Sequence, residues 1–373
     1  MDTGRLTKNI GEGDRMKYEY WFANIKGVGN QQKKKLRECV VCAKELYYIE
    51  ETGLKAFGAT EKEITCILES KKIWALESEY EKLEQKQIKF YPYFCDAYPT
   101  KLKQISSPPY ALYGKGKLPD EETLSVAIVG ARECSPYGRE MAEWFAKSLA
   151  GVGIQNISGM ARGVDGASQL GAIRAGGASF GVLGCGVDVC YPREHIELYA
   201  RLERTGGVLS EQPVGMKPFP QFFPARNRII SALSDVVLVM EAKAKSGSLI
   251  TADMALEQGK DVYALPGQVN SQLSRGCNQL IKQGAGILVS PEELLEELGI
   301  ACREKREKFT ENKIPLESPE NLVYSCLGLY PKNINELSDL TGMTIPVLLN
   351  VLVSLELQGY ISEFSKNHYI RLK

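Results

Sequence analysis

Histidine is almost missing from this chain: His195 and His368 are the only two among 373 residues. Imidazole acid–base chemistry and the usual nitrogen ligands for metals therefore have little to draw on. Ten cysteines are present, and Cys39 and Cys42 form a C-x-x-C, but there is no second such pair to complete a four-ligand zinc site. Both sit in the helix-like stretch KKKLRECVVCAKEL, where reduced structural thiols are the expected reading. Net charge is missing too. The 46 Lys and Arg balance 46 Asp and Glu, so no global field draws the chain to a polyanion, and any such binding must come from a local patch. No apolar run approaches a membrane span, and the opening MDTGRLTKNIGEGDRMKYEY has no signal-peptide core, so a cytoplasmic protein without a membrane partner is expected.

The length leaves room for two or three domains. Residues 1–15 are polar and aperiodic and read as a disordered leader. Residues 16–115 read as a helical domain, with apolar spacings of three and four in QQKKKLRECVVCAKELYYIE and TEKEITCILESKKIWALESEYEKLEQKQ. Within it, Gly27-Val28-Gly29 leads into Lys33, Lys34 and Lys35. That resembles a helix-hairpin-helix element, whose backbone N–H groups receive a phosphate, and fits equally a Gly-capped turn before a solvated lysine face.

Residues 116–299 change grammar. Strands are expected at Ser125–Val129, Ile154–Ser158, Ser179–Leu183, Gly207–Ser210, Val236–Met240, Val262–Leu265 and Ile287–Val289, separated by helix-length segments beginning with Tyr137–Gly151. Crossovers of that length imply an α/β fold with a Rossmann-like, doubly wound, mostly parallel sheet. A charged linker follows at 300–318. Residues 319–373 then give helix, Gly342 turn, helix and hairpin, a winged-helix pattern. Its second helix, PVLLNVLVSLELQG, carries no Lys or Arg, so a protein-contact or structural role is expected for it rather than groove reading.

Ligand sites of such a sheet lie beyond the carboxyl ends of its strands. There the loops carry Gly130 and Arg132; Gly159, Arg162 and Asp165; Gly186, Asp188, Tyr191 and Arg193; Lys217 through Arg226, Asn227 and Arg228; and Lys243, Lys245, Ser246 and Gly247. Glycines let a ligand approach backbone N–H groups, helix starts form anion nests, and Arg forks hold phosphate oxygens at two points. Together they describe a multi-phosphate groove. A dinucleotide is excluded, because the first loop is not G-x-G-x-x-G and no acidic residue ends the second strand. Walker A and G-x-S-x-G sequences are absent as well. Acid–base chemistry would fall to Asp165, Asp188, Glu211, Glu241 or Asp253. For these, helix capping by Asp165 and pairing of Glu211 and Glu241 with Arg226 or Arg228 is the expected role.

Six ordered motifs span this region: VAIVGAR at 126–132, SGMARGVD at 158–165, GVDVCYP at 186–192, FPARNRII at 223–230, EAKAKSGSLITA at 241–252 and ALPG at 264–267. They closely resemble the DNA-processing protein A (Smf) family. The flanks resemble a sterile-alpha-motif-like domain and a winged helix. The resemblance implies a non-enzymatic protein of natural transformation that binds incoming single-stranded DNA, loads the RecA recombinase onto it and forms a homodimer through the Rossmann-like domain, without a cofactor or metal. Carried over, the phosphate pocket comprises Gly130, Arg132, Arg193, Arg226, Asn227, Arg228, Ser246, Gly247 and Thr251, with Lys217 and Lys243 as flanking charges. Two positions depart from the family pattern: Ala131 stands where a Ser is usual, and Gln169 where a His is usual. Stacking on bases is expected of Phe222, Phe223 or Tyr191, with at least one of the two phenylalanines expected in the core instead. The alternative is a nucleotide-processing hydrolase of phosphoribohydrolase type, with Asp253 or Glu257 as acid, although the glycines of its phosphate loop are missing from Ser246-Gly247-Ser248-Leu-Ile-Thr251.

Overall fold

Every residue of Ser125–Val129 (β3) and Ser179–Leu183 (β5) is buried, which is why neither segment alternates polar with apolar: the sheet is covered on both faces. The computed structural model describes residues 12–300, 318–328 and 331–372. It divides the chain into two units, Met1–Ala301 and Cys302–Lys373. The remaining strands of the first unit are β1 (Lys89–Pro92), β2 (Ala111–Gly116), β4 (Gln155–Ser158), β6 (Gly207–Ser210), β7 (Val236–Val239), β8 (Asp261–Ala264) and β9 (Gly286–Ile287). Their order is β1-β2-β6-β5-β4-β3-β7-β8-β9. From β6 to β9 all neighbours are parallel, whereas β2 joins β6, and β1 joins β2, antiparallel.

Successive strand residues point to opposite faces, so the two sides of β3 serve two cores. Ala127 and Val129 pack with Val237, Val239 and the helices Phe222–Leu233, Gly247–Glu257 and Arg275–Lys282. Val126 and Ile128 pack with Val236, Leu238 and the helices Pro136–Gly151 and Val164–Arg174. The seven expected strands are all present, within a residue or two at their ends.

The amino-terminal region differs from expectation. The first helix, Glu12–Ala23, begins before Met16; residues 1–11 of the expected leader lie outside the described residues. Segments 89–92 and 111–116, expected inside the helical domain, are β1 and β2 of the sheet. Nor does the helical layer have a core of its own. Trp21, Phe22, Leu36 and Ile67 share one buried cluster with Tyr113, Leu183, Leu202 and Val208. The lysine run after Gly29 is not a uniformly solvated face either. Lys33 is buried, and its Nζ donates to the Ala23 carbonyl at 2.5 Å, closing the end of the first helix. Burial pushes this ammonium down to about 7.

The second unit is the expected winged helix. Helices Ser318–Cys326, Ile334–Thr341 and Ile345–Leu357 pack with an antiparallel sheet ordered β10 (Lys332–Asn333), β12 (His368–Arg371) and β11 (Ile361–Ser365). Asn333 and Glu336 form a capping box, and Gly342 ends that helix at φ +69°. Leu348, Leu352 and Leu355 enter the core, but Ile345, Leu349, Val353 and Leu357 lie on the exposed side of the same helix. Most of the expected linker, residues 301–317, lies outside the described residues. Among the described residues no single helix is long and apolar enough to cross a membrane.

Candidate nucleic-acid interface

In sheet order β3 stands between β4 and β7, and the chain leaves it first toward β4 and later returns on the β7 side. That reversal opens a crevice beyond the carboxyl ends of β3 and β7, where open α/β sheets place their ligands. A cavity of about 720 Å³ fills it. Gly130 and Arg132 come from the loop after β3, Arg162 from the loop after β4, and Lys243, Lys245 and Ser246 from the loop after β7. Phe223, Arg226 and Asn227 come from the first turns of the helix Phe222–Leu233.

Close backbone approach holds these loops together. Gly163 adopts φ +72°, and a side chain there would collide with the carbonyl oxygens of Ala131 and Arg132. Gly159 leaves room for the Arg226 guanidinium and the Asp165 carboxylate, each 2.6 Å from where a Cβ would stand. Asp165 also accepts the Gly159 N–H at 3.1 Å. Arg226 is buried and donates to the carbonyls of Gly159 (2.8 Å) and Val182, tying together the ends of two strands. Burial pushes Arg226 down to about 10 and Asp165 up, while the attraction between them opposes both shifts.

The rim is different. Arg132, Lys243 and Lys245 are exposed and have no ion-pair partner among the described residues. The Arg132 guanidinium lies 5.3 Å from the centroid of the Phe223 ring, which in turn packs on Tyr191 at 5.5 Å. The helix Gly247–Glu257 starts at the cavity, with Ser246 as its N-cap accepting the Ser248 N–H. Asn227 fixes that start by donating to the Gly247 carbonyl at 3.2 Å. Cations, a helix N-terminus and two ring faces thus converge, an arrangement suited to a chain of phosphates carrying flat bases.

The acids are committed elsewhere. Glu241 accepts the N–H and hydroxyl of Ser135 at 2.8 and 2.6 Å, rather than pairing with an arginine as expected. Glu211 takes both ends of the Arg228 fork at 2.9 and 2.5 Å, one of the expected pairings. Asp188 joins Lys86 (2.6 Å) to the Gly215 N–H (2.7 Å). Asp253 is exposed on the helix Gly247–Glu257, and neither it nor Glu257 lines the cavity.

The family model for DNA recombination-mediator protein A matches residues 89–299, and the model for the DprA winged helix domain matches 307–364. The chain belongs to the DNA recombination-mediator protein A family. Within it, the chain is 37% identical to Protein Smf of Escherichia coli over 78% of its own length and 79% of that protein. It is 41% identical to DNA processing protein DprA of Streptococcus pneumoniae over 54% of its length and 71% of that protein. The crystal structure of the S. pneumoniae protein superposes with a TM-score of 0.67 at 33% identity, covering 75% of this chain and 97% of that one. DNA processing protein A of Helicobacter pylori, described for its single-stranded DNA binding mode, superposes at 0.51 and 30% identity, covering 57% of this chain and 95% of that one.

Of the pocket residues the motifs implied, Gly130, Arg132, Arg226, Asn227, Lys243, Ser246, Gly247 and Thr251 line the cavity, with Arg226 turned into the frame beneath it. Three do not. Residues two apart on a helix face nearly opposite ways, so Arg228 points from Arg226 toward Glu211 and the Ser107 carbonyl (2.9 Å). Arg193 is exposed in the short 3₁₀ turn Arg193–His195, outside the cavity. Lys217 borders a second cavity. Arg162 and Lys245 also line the cavity but are not among the residues the motifs implied. Both sat in quoted loops, and loop position alone was the signal; Arg162 is held by Glu194 at 2.7 Å. Neither Phe222 nor Phe223 belongs to a buried core cluster, against expectation for at least one. Ala131 is buried and offers its carbonyl to the Val164 N–H at 3.2 Å. Gln169 lies in the core, donating to the Phe180 carbonyl at 3.0 Å, and does not line the cavity.

Proposed function

We propose that this chain is a non-catalytic mediator that grips single-stranded DNA in the first cavity, shields it and loads the RecA recombinase onto it during natural transformation. The observation that carries the reading is the rim: Arg132, Lys243 and Lys245 stand unpaired beside the Phe223–Tyr191 ring pair and the start of the helix Gly247–Glu257. The binding mode described for the H. pylori relative supports it. The engagement of Asp165, Glu211, Glu241 and Asp188 in the frame supports a binding role over a hydrolytic one. The protein works in the cytoplasm, where RecA acts, as a homodimer. The sheet ends at β9, whose exposed Ile287 and neighbouring Val289 offer an edge for a second copy.

The test is fluorescence anisotropy of labelled oligothymidylate and of a matched duplex across a salt series. Three phosphate contacts correspond to a log–log salt slope of roughly −2 on a single strand. Binding that favours the single strand, follows such a slope and ignores sequence is expected. Tight, sequence-selective duplex binding would overturn the reading. So would release of free base from nucleoside monophosphates that is lost in Asp253→Asn. RecA filament growth on a pre-bound strand should accelerate with the protein present, and no acceleration removes the loading step.

A further inference from the structure

A second cavity, of about 560 Å³, lies between the amino-terminal helical layer and the 213–219 segment that follows β6. Lys26, Lys82 and Lys86 enter it from the helical layer and Lys217 from the sheet side. Two of these lysines are already balanced: Lys82 by Glu79 at 2.5 Å and Lys86 by Asp188 at 2.6 Å. Lys26 and Lys217 are exposed and have no ion-pair partner among the described residues. Trp74 lines the same cavity, and its indole N–H is buried without an acceptor among the described residues.

The two cavities are joined by one stretch of chain. Phe219, 43% exposed, borders the second, while Pro220 and Phe223 border the first. The Phe219 ring packs edge-on against Phe222 at 5.7 Å, and Phe223 packs against Tyr191 at 5.5 Å, so each cavity has an aromatic side chain of the 219–223 stretch at its border. The segment is fixed rather than loose. The Gly186 N–H donates to the Met216 carbonyl at 2.8 Å, and Asp188 takes the Gly215 N–H at 2.7 Å. Unpaired cations alternating with aromatic surface make the pattern of a sequence-indifferent single-strand track.

We propose that the strand path continues from the first cavity across Phe219 into the second, where Lys26 of the helical layer and Lys217 hold further phosphates of the same single strand. The helical layer is then part of the DNA-binding surface and not only a support for the sheet. The proposal rests on the function proposed above, and its test separates the two.

Anisotropy titrations are run on the full chain with oligothymidylates of about 6 and about 20 nucleotides, for the unsubstituted protein, Lys26→Ala, Lys26→Arg and Arg132→Ala. Lys26 is exposed, and circular dichroism checks that each variant is folded. Lys26→Ala is expected to leave the short strand's affinity unchanged. On the long strand it should weaken binding roughly threefold to tenfold and flatten the salt slope by about 0.7, with Lys26→Arg restoring both. Arg132→Ala should weaken both lengths. If Lys26→Ala changes neither length, or both alike, while Arg132→Ala still weakens binding, the extension is wrong and the first cavity stands. If the unsubstituted chain binds neither strand, the proposed function falls and the extension with it.

Discussion

The rim of the first cavity and the layer directly beneath it use the same side chains for opposite purposes. On the rim, Arg132, Lys243 and Lys245 stay in water without acidic partners, and Arg132 rests on an aromatic ring. Beneath, cations are spent on carbonyl groups. Arg226 spans Gly159 and Val182, and the same use recurs away from the cavity: Lys33 closes the first helix, and Lys260, just before β8 at the amino end of the strands, donates to the carbonyls of Ser231 (2.7 Å), Ala232 (2.6 Å) and Ser234. A buried cation without compensation costs several kcal/mol, so the frame leaves none over for a ligand. Residue type is therefore a poor guide to phosphate binding. What separates a gripping arginine from a framing one is whether its fork is already occupied.

Removing a frame cation should produce the largest change. Arg226→Met leaves Asp165 buried without its counter-charge, and a loss of about 3–5 kcal/mol in urea-unfolding stability is expected. A loss below about 0.5 kcal/mol would move Arg226 to the rim. Next in size, Arg132→Ala should leave stability within about 0.5 kcal/mol and cost single-strand binding about 1.5–3 kcal/mol, or roughly 10-fold to 150-fold. Equal losses in both assays would erase the distinction between rim and frame.

The smallest effect is a pH dependence. Burial lowers Lys33 to about 7 and Lys260 to about 8, against an ordinary value near 10.5. Between roughly pH 7 and pH 9 the unfolded chain therefore binds more protons than the folded one, and stability rises with pH. Lys33→Met should flatten that rise in denaturant midpoints measured across the window, and an unchanged rise would contradict the burial of this ammonium.

Much of this was legible in the sequence. Strand, polar loop and helix repeat with a parallel-sheet period, so the central fold and a groove beyond the carboxyl ends of its strands could be drawn from residues 124–299 alone, although the groove was expected along one sheet edge and the cavity lies at the central β3 and β7. Three things were not. KFYP and ALYGKG are short, carry Pro or Gly and sit next to strong helical patterns, so β1 and β2 passed as part of the helical region. FPARNRII reads as one motif, yet on a helix its two arginines part company, one to the frame and the other to Glu211. Lys33 looks like its neighbours in a lysine run, and only the packing of the preceding helix end marks it as buried.

The winged-helix unit sharpens the contrast further. Its helix Ile345–Leu357 turns Ile345, Leu349, Val353 and Leu357 outward where a groove-reading helix would present cations. On the proposed function, the winged helix takes no part in gripping the strand. Ultraviolet cross-linking of a bound oligothymidylate, with the adducts mapped by mass spectrometry, tests this most directly. Adducts at Tyr191 and Phe223, with none between residues 331 and 372, are the expected result. Adducts confined to the winged helix, with Tyr191 and Phe223 unmodified, would contradict it.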